Sequence, residues 1–334
     1  MTFLRELELQ YKKIISDYIT NKTERNLYIG QNFTRQLIRK NVLPEDVINM
    51  HKKAMEQLYP DIVKELHVAS DFLIEVMVHY GLAHREHQSL AKKRVEMKIE
   101  LDIAVKIQKT LLETEFPSLQ TIDIGMVSIP FRTMNGDYVH FFQDTKDFLS
   151  VAVTDVVGKG VPAALCMSMV KYGLEMLEYV YQNPSHILEA LNRVIEKSVD
   201  DSMFVSMFYG RYDSQTSIFS YASAGHEPAL YYSAKEDRLN ELEVQGLLLG
   251  VLPEVSYSHY ELKLEVGDIV IMMTDGVTEF RTNGELNSRE VITSLIEKHK
   301  HLTAQQLCTL LHKEIERLRN FKLTDDFTIV ILKK

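Results

Sequence analysis

Three features are scarce in this sequence: cysteine, long apolar runs and an excess of basic residues. The 334 residues include two cysteines, Cys166 and Cys308, in apolar, helix-like surroundings, which favours buried free thiols in a reducing compartment over a disulfide framework. No apolar run approaches the roughly 20 residues that cross a bilayer. The formal net charge of −9 argues against nucleic acid as a partner, because proteins that bind nucleic acid usually carry a basic surface.

The beginning of the chain also lacks the apolar core of a signal peptide, since residues 1–13 are charged and periodic. Together with the missing membrane-spanning run, this predicts a cytoplasmic protein. The chain is too long for one typical core, so we expect two domains.

The first part of the chain carries the periodicity of amphipathic helices. Apolar residues recur there at alternating steps of three and four, as in Leu4, Leu7, Tyr11, Ile14 and Tyr18. Further helices are predicted at 23–40, from Pro44 and after Pro60. Four helices with short connections predict a helical bundle over residues 1–83. Because such a bundle has a small core, we expect it to bind a partner protein or a second copy of itself.

Residues 84–117 are predicted to form a long linker helix, because they are densely charged and contain no helix breaker until Pro117. One seam has a seven-residue spacing: Leu90, Met97, Ala104 and Leu111. A second seam is mixed: Arg94, Leu101 and Gln108. This pattern is compatible with a short coiled coil or with a solvated helix packed on its own domain. The small bundle before it favours the coiled coil, and hence a homodimer.

From residue 118 onward, strand-like runs bounded by Gly, Pro, Asn and Asp dominate the sequence. Helical segments interrupt them near 162–180, 185–199, 288–298 and 303–319. Groups of strands flanked by helices predict a layered α+β domain over residues 118–334.

Acidic residues recur at the ends of these apolar runs, within three residues of a glycine in three cases. They are Asp137, Asp155, Asp275 and the neighbours Asp325 and Asp326. Each alone is compatible with an ordinary turn. If the strand ends meet at one edge, however, the carboxylates repel one another unless a cation neutralises them. All-oxygen ligands suit Mg²⁺ or Mn²⁺, and two such ions can activate a water and hold phosphoryl oxygens. No His/Cys spacing typical of zinc is present.

Five segments carry a family resemblance: "NGDY", "TDVVGKGVPAALCMS", "SAGHEP", "TDGVTE" and "DDFTIVIL". In this order and spacing they resemble the metal-dependent PPM-type serine/threonine phosphatases, in particular the SpoIIE-like branch of bacteria. The resemblance covers roughly residues 120–334, and "AVKIQKTLL" is similar to the helix that often leads into such domains. It implies an α/β/β/α sandwich with a site for two Mn²⁺ or Mg²⁺ ions at one end.

The resemblance also implies roles for individual residues. Asp155 matches the bridging ligand, and Val156 the residue whose carbonyl assists it. Asp275 and Asp325 match further catalytic metal ligands, and Asp137 the remaining acidic position. The glycine turn after the bridging ligand is expected to bind the substrate through Gly158, Lys159 and Gly160.

The sequence departs from the family pattern at several positions. Val157 stands where eukaryotic members have a histidine proposed as general acid. Arg132 is near, but not at, the position of their phosphate-binding arginine. Asp326 stands where asparagine is common. His226 in "SAGHEP" is open to two interpretations, a general acid or a residue that fixes its loop by hydrogen bonds, and Glu227 shares this ambiguity.

The function implied by the resemblance is dephosphorylation of a phosphoserine on an anti-anti-sigma factor (RsbV-like). A kinase-like activator (RsbT-like) would bind the N-terminal domain, and the outcome would be activation of a stress sigma factor. An alternative is a regulatory module that binds phosphoproteins through a degenerate phosphatase domain, although the retained aspartates favour an enzyme. A two-metal nuclease is disfavoured by the acidic balance and the missing basic stripe.

Overall fold

The computed structural model describes residues 2–40, 42–61, 64–131, 134–143, 147–158, 160–180, 182–198, 203–278, 288–319 and 325–334. The predicted site residue Lys159 and the neighbouring Arg132 lie outside these ranges. The chain divides into two compact units, Met1–Glu100 and Leu101–Lys334. The boundaries expected from the sequence, at residues 83 and 117, stay a prediction.

Helices form the first unit, as predicted. They are α1 (Thr2–Thr20), α2 (Glu24–Arg39), α3 (Pro44–Leu58) and the first part of α4 (Lys64–Leu111). A small core packs Leu7 of α1 with Phe33 and Leu37 of α2 and Met50 of α3. Pro44 opens α3, where the missing N–H of proline costs nothing.

Helix α4 is one unbroken helix, where the sequence predicted a fourth bundle helix followed by a separate linker. No proline occurs between Lys64 and Leu111, and the single glycine, Gly81, does not end the helix. In the first unit, Arg85 of α4 lies 3.7 Å from the largely buried Glu45 of α3. None of the described helices is both long and apolar enough to cross a membrane.

The second unit contains two five-stranded antiparallel sheets. The first has the order β1-β10-β9-β6-β7 and the second β2-β3-β4-β5-β8. The strands are β1 (Asp123–Ile129), β2 (Asp137–Phe142), β3 (Phe148–Val156), β4 (Val205–Asp213), β5 (Ile218–Ala224), β6 (Leu230–Ser233), β7 (Arg238–Glu241), β8 (Tyr260–Lys263), β9 (Ile269–Met273) and β10 (Phe327–Lys333). The helices are α5 (Val161–Leu177), α6 (Pro184–Glu196), α7 (Asp275–Thr278), α8 (Ser288–His299) and α9 (Ala304–Leu318).

Alternation along the buried strands shows how the layers stack, because successive side chains of a strand point to opposite faces. On β9, Val270 and Met272 join a core between the sheets, whereas Ile269, Ile271 and Met273 pack in the core that contains α8 and α9. The second sheet packs on α5 and α6 through its other face, in the core that includes Ala152 and Tyr209. The α/β/β/α sandwich is therefore confirmed.

Candidate active site

Strands from both sheets end at one edge of the sandwich. In the second sheet, the register pairs Asp137 of β2 with Asp155 of β3. In the first sheet, Asp275 follows the end of β9, and Asp325 and Asp326 precede β10, which pairs with β9. The acidic residues found at the ends of apolar runs thus come from both layers of the sandwich.

A cavity of about 230 Å³ lies between these ends. Four of the predicted aspartates line it: Asp155, Asp275, Asp325 and Asp326. Val156 and Gly158 also line it, as do Val157, Gly136, Phe131 and Met134. The structure therefore gathers around one space residues that are up to 195 positions apart in the sequence, from Phe131 to Asp326.

Asp137 is placed differently from the other predicted ligands. It is 3% exposed and is not among the described residues that line this cavity. One of its carboxylate oxygens, Oδ2, accepts a hydrogen bond of 2.8 Å from the hydroxyl of Thr274. Burial, followed by the charge of Asp155, raises the pKa of Asp137 well above its usual range, while hydrogen bonds from threonine hydroxyls oppose the shift. Asp137 is therefore a buried neighbour of Asp155 that favours its protonated form.

Asp326 holds a loop in the structure. Its two carboxylate oxygens accept hydrogen bonds from the backbone N–H groups of Phe131 and Gly136, each at 2.6 Å. It thereby holds Gly136, the residue directly before β2 and Asp137. Asp326 departs from the family pattern in sequence, but its role as a hydrogen-bond acceptor is not predictable there, since nothing local to the sequence signals a contact across 190 residues.

The glycine turn after β3 has the backbone that only glycine adopts without strain. The φ angles are +133° at Gly158 and +83° at Gly160. Gly160 is the N-cap of α5, and its carbonyl accepts from the N–H of Ala164. The turn therefore takes the chain directly from a cavity-lining residue, Gly158, into the N-terminus of a 17-residue helix.

A second glycine, Gly276, allows two backbones to approach each other closely. A Cβ at this position would lie 1.7 Å from the backbone oxygen of Asp326. The turn that carries Asp275 and the turn that carries Asp325 and Asp326 are thus in direct backbone contact.

His226 does not line the cavity among the described residues, and it is 6% exposed. Its Nδ1 lies 2.8 Å from the hydroxyl of Ser206. Burial lowers the pKa of His226 to about 4, so the imidazole is neutral near pH 7. Of the two interpretations left open by the sequence, this position favours the one in which His226 fixes its surroundings.

The donor set of the cavity is suitable for a hard divalent cation, because it consists of carboxylates and backbone carbonyls. Within the described ranges, no three Asp, Glu, His or Cys side chains are already close enough together to hold an ion as they stand. Carboxylates that face one another without a cation repel. The residues fit such an ion by their chemistry.

The two-sheet sandwich has the fold of the PP2C-type phosphatases. The fold is similar to the SiaA PP2C domain of Pseudomonas aeruginosa, with a TM-score of 0.62 and 19% identity over 73% of this chain and 99% of that one. It is also similar to RsbX in complex with magnesium, with a TM-score of 0.51 and 17% identity over 65% of this chain and 98% of that one.

Sequence comparison identifies the family more closely. The family model for stage II sporulation protein E (SpoIIE) matches residues 145–334, and that for the N-terminal domain of the phosphoserine phosphatase RsbU matches residues 9–83. The phosphoserine phosphatase RsbU of Bacillus subtilis is 42% identical over 334 residues, which are 100% of this chain and 99% of that protein. The chain belongs to the RsbU family of phosphoserine phosphatases. The family resemblance found in the sequence is thereby confirmed.

Proposed function

We propose that the cavity between the sheet ends is a metal-dependent phosphoserine hydrolysis site. The observation that carries this proposal is the convergence of Asp155, Asp275 and Asp325 on one cavity. In a protein of this family, these three carboxylates, the Val156 carbonyl and Asp137 would hold two Mn²⁺ or Mg²⁺ ions. When bound, the ions supply an activated water and neutralise charge on the phosphoryl group.

The protein's own groups have distinct tasks in this proposal. Asp326 keeps the loop at Phe131 and Gly136 in place through its two short hydrogen bonds. Gly158 lies at the cavity, and with Lys159 and Gly160 it would bind the phosphate, helped by the N-terminus of α5. Val157 provides no proton, so the leaving serine oxygen would take one from water or from another group.

The proposed substrate is a phosphoserine on an anti-anti-sigma factor (RsbV-like), in the cytoplasm. Residues 1–83 would bind a kinase-like activator (RsbT-like), residues 84–117 would transmit this binding, and residues 118–334 would be the phosphatase domain. Support comes from the match of residues 9–83 to the RsbU N-terminal domain. The magnesium bound by the similarly folded RsbX supports the choice of ion.

The exposed apolar side chains of the long helix α4 support a homodimer. Leu90 and Met97, in the predicted seam, are 54% and 68% exposed, and further apolar side chains of the helix are exposed as well: Val95, Ile99, Ile103 and Ile107. Exposed apolar side chains repeated along a helix are typical of a surface that a second helix covers. Replacing Leu90 and Met97 by glutamate should convert the dimer to monomer in sedimentation equilibrium. A dimer that survives this change would contradict the proposed contact, and Lys98→Glu on the same helix is the control.

Hydrolysis itself is tested with the purified full chain and a phosphorylated anti-anti-sigma factor, with Mn²⁺ and with chelator. We expect phosphate release with Mn²⁺ and none with chelator. The variant Asp155→Asn should release no phosphate in either case. Asp213→Asn is the matched control, because Asp213 lies at the opposite end of the β3–β4 ladder. Binding of the phosphoprotein without phosphate release would instead support the binding-module alternative. Near-normal turnover in Asp155→Asn would refute the assignment.

A further inference from the structure

A row of polar side chains crosses the second sheet at the cavity edge. The register pairs Asp137 with Asp155, and Asp155 in turn with Ser206 of β4. Residues directly opposite each other in an antiparallel sheet place their side chains on the same face. The hydroxyl of Ser206 is therefore the next member of the row after two predicted metal ligands.

His226 continues this row beyond the sheet. Strand β5 ends at Ala224, and Gly225 then turns the chain with a φ of +61°. This turn brings His226 Nδ1 to 2.8 Å from the hydroxyl of Ser206. The backbone N–H of His226 donates to the hydroxyl of Ser223 at 3.3 Å, which fixes the turn from its other side.

The far side of the imidazole is buried, and its Nε2 has no hydrogen-bond partner among the described atoms. The backbone of Met273, the last residue of β9, lies near enough to oppose the lowering of the ring's pKa by burial. Thr274 comes next and donates to Asp137, and Asp275 follows it. One buried ring thus lies between the strand beside Asp155, to which it is hydrogen-bonded, and the strand that precedes Asp275.

The contacts indicate how the ring is protonated. Burial lowers the pKa of His226 to about 4, and the smaller contribution of the Met273 backbone opposes this, so the ring is neutral near pH 7. A neutral imidazole has one donor and one acceptor nitrogen, and a hydroxyl can serve as either partner, so Nδ1 pairs with Ser206 in both tautomers. The ring can therefore lie between the two sheets without charge.

We propose that Ser206 and His226 form a positioning pair, which sets the separation between Asp155 on one sheet and Asp275 on the other for binding of the divalent ions. This inference rests on the proposed function, because it concerns the same site. His226 is a positioning residue here and not a catalytic one, since it is buried and does not line the cavity among the described residues. Ion binding is sensitive to such outer contacts, whose loss typically costs about 10–100-fold in affinity.

The test measures the Mn²⁺ dissociation constant of the full-length protein by titration calorimetry, with thermal unfolding as a check on folding. We expect Ser206→Ala and His226→Leu each to weaken Mn²⁺ binding about 10–100-fold. The double variant should bind Mn²⁺ no more weakly than the single variant with the larger loss, because both changes delete the same contact. His226→Asn should restore part of the affinity, since its amide offers both an acceptor and a donor. Ser220→Ala, a half-buried serine on β5, is the control and should bind Mn²⁺ as the unmodified protein does.

Ser206→Ala keeps the test decisive if His226→Leu does not fold, because the smaller change only removes a hydroxyl. A folded Ser206→Ala protein with unchanged Mn²⁺ affinity would overturn the proposal, as would fully additive losses in the double variant. A loss of kcat in His226→Leu with unchanged Mn²⁺ affinity would support the general-acid interpretation instead. If the unmodified protein itself bound no Mn²⁺, the proposed function would fail, and this result is distinct from failure of the positioning pair.

Discussion

Substitution of Gly276 by alanine tests the geometry of the site with a single methyl group. The added Cβ would lie 1.7 Å from the backbone oxygen of Asp326 and 2.9 Å from its carbonyl carbon. Nonbonded heavy atoms are usually separated by about 3.5 Å, so the two backbone segments must move apart by roughly 1.8 Å. Neither contact is the end of a flexible side chain. Overpacking of this kind typically costs about 1–3 kcal/mol of stability.

The displacement falls between two proposed metal ligands. Asp275 directly precedes Gly276, and Asp325 directly precedes Asp326. A misplacement of about 1 Å in a catalytic constellation can cost about 100-fold in rate. We therefore expect Gly276→Ala to lower kcat at least about 100-fold and to weaken Mn²⁺ binding, while the protein remains folded.

The assay combines phosphate release from the phosphoprotein, Mn²⁺ titration calorimetry and thermal unfolding. Gly30→Ala in α2 is the control, because its added Cβ would meet only Ile14 Cγ2, at 4.0 Å. Alanine is favoured over glycine inside a helix by about 1 kcal/mol, so this control should be slightly stabilised and fully active. A Gly276→Ala protein with the kcat and Mn²⁺ affinity of the unmodified chain would refute the reasoning.

Three further predictions concern buried polar groups. Tyr209→Phe removes the hydroxyl that donates to Glu178 Oε1 at 2.8 Å. Urea unfolding should show that the free energy of unfolding falls by about 1–3 kcal/mol, and an unchanged midpoint would contradict this. Thr154→Val should raise the free energy of unfolding by about 1 kcal/mol, because the buried Thr154 hydroxyl has no hydrogen-bond partner among the described atoms. A loss of stability would instead show that this hydroxyl has a hydrogen-bond partner. Burial and the charge of Asp155 raise the pKa of Asp137, so the folded chain binds this proton more tightly than the unfolded chain does. In chelator the free energy of unfolding should therefore fall as pH rises from about 4 through the raised pKa, and Asp137→Asn should remove that slope.

The long apolar runs made most of the sandwich predictable. Strands such as β3, β4, β9 and β10 are runs of buried residues bounded by turn residues, and their sequences alone locate them. Strands β6, β7 and β8 were not predicted, because each is only four residues long. Strand β7, "RLNE", has a single apolar residue and is a strand because it pairs with β6.

The sequence by itself determined which residues end the strands, where glycine must turn the chain and which family the motifs indicate, because these are local properties of residue type and spacing. Only the tertiary structure decided that Asp137 is buried against Thr274, 137 residues away, and that Asp326 accepts hydrogen bonds from the backbone of Phe131 and Gly136. It also placed His226 between the two sheets. Burial and hydrogen-bond partners depend on which strands become neighbours, and that is settled only when the two sheets pack together.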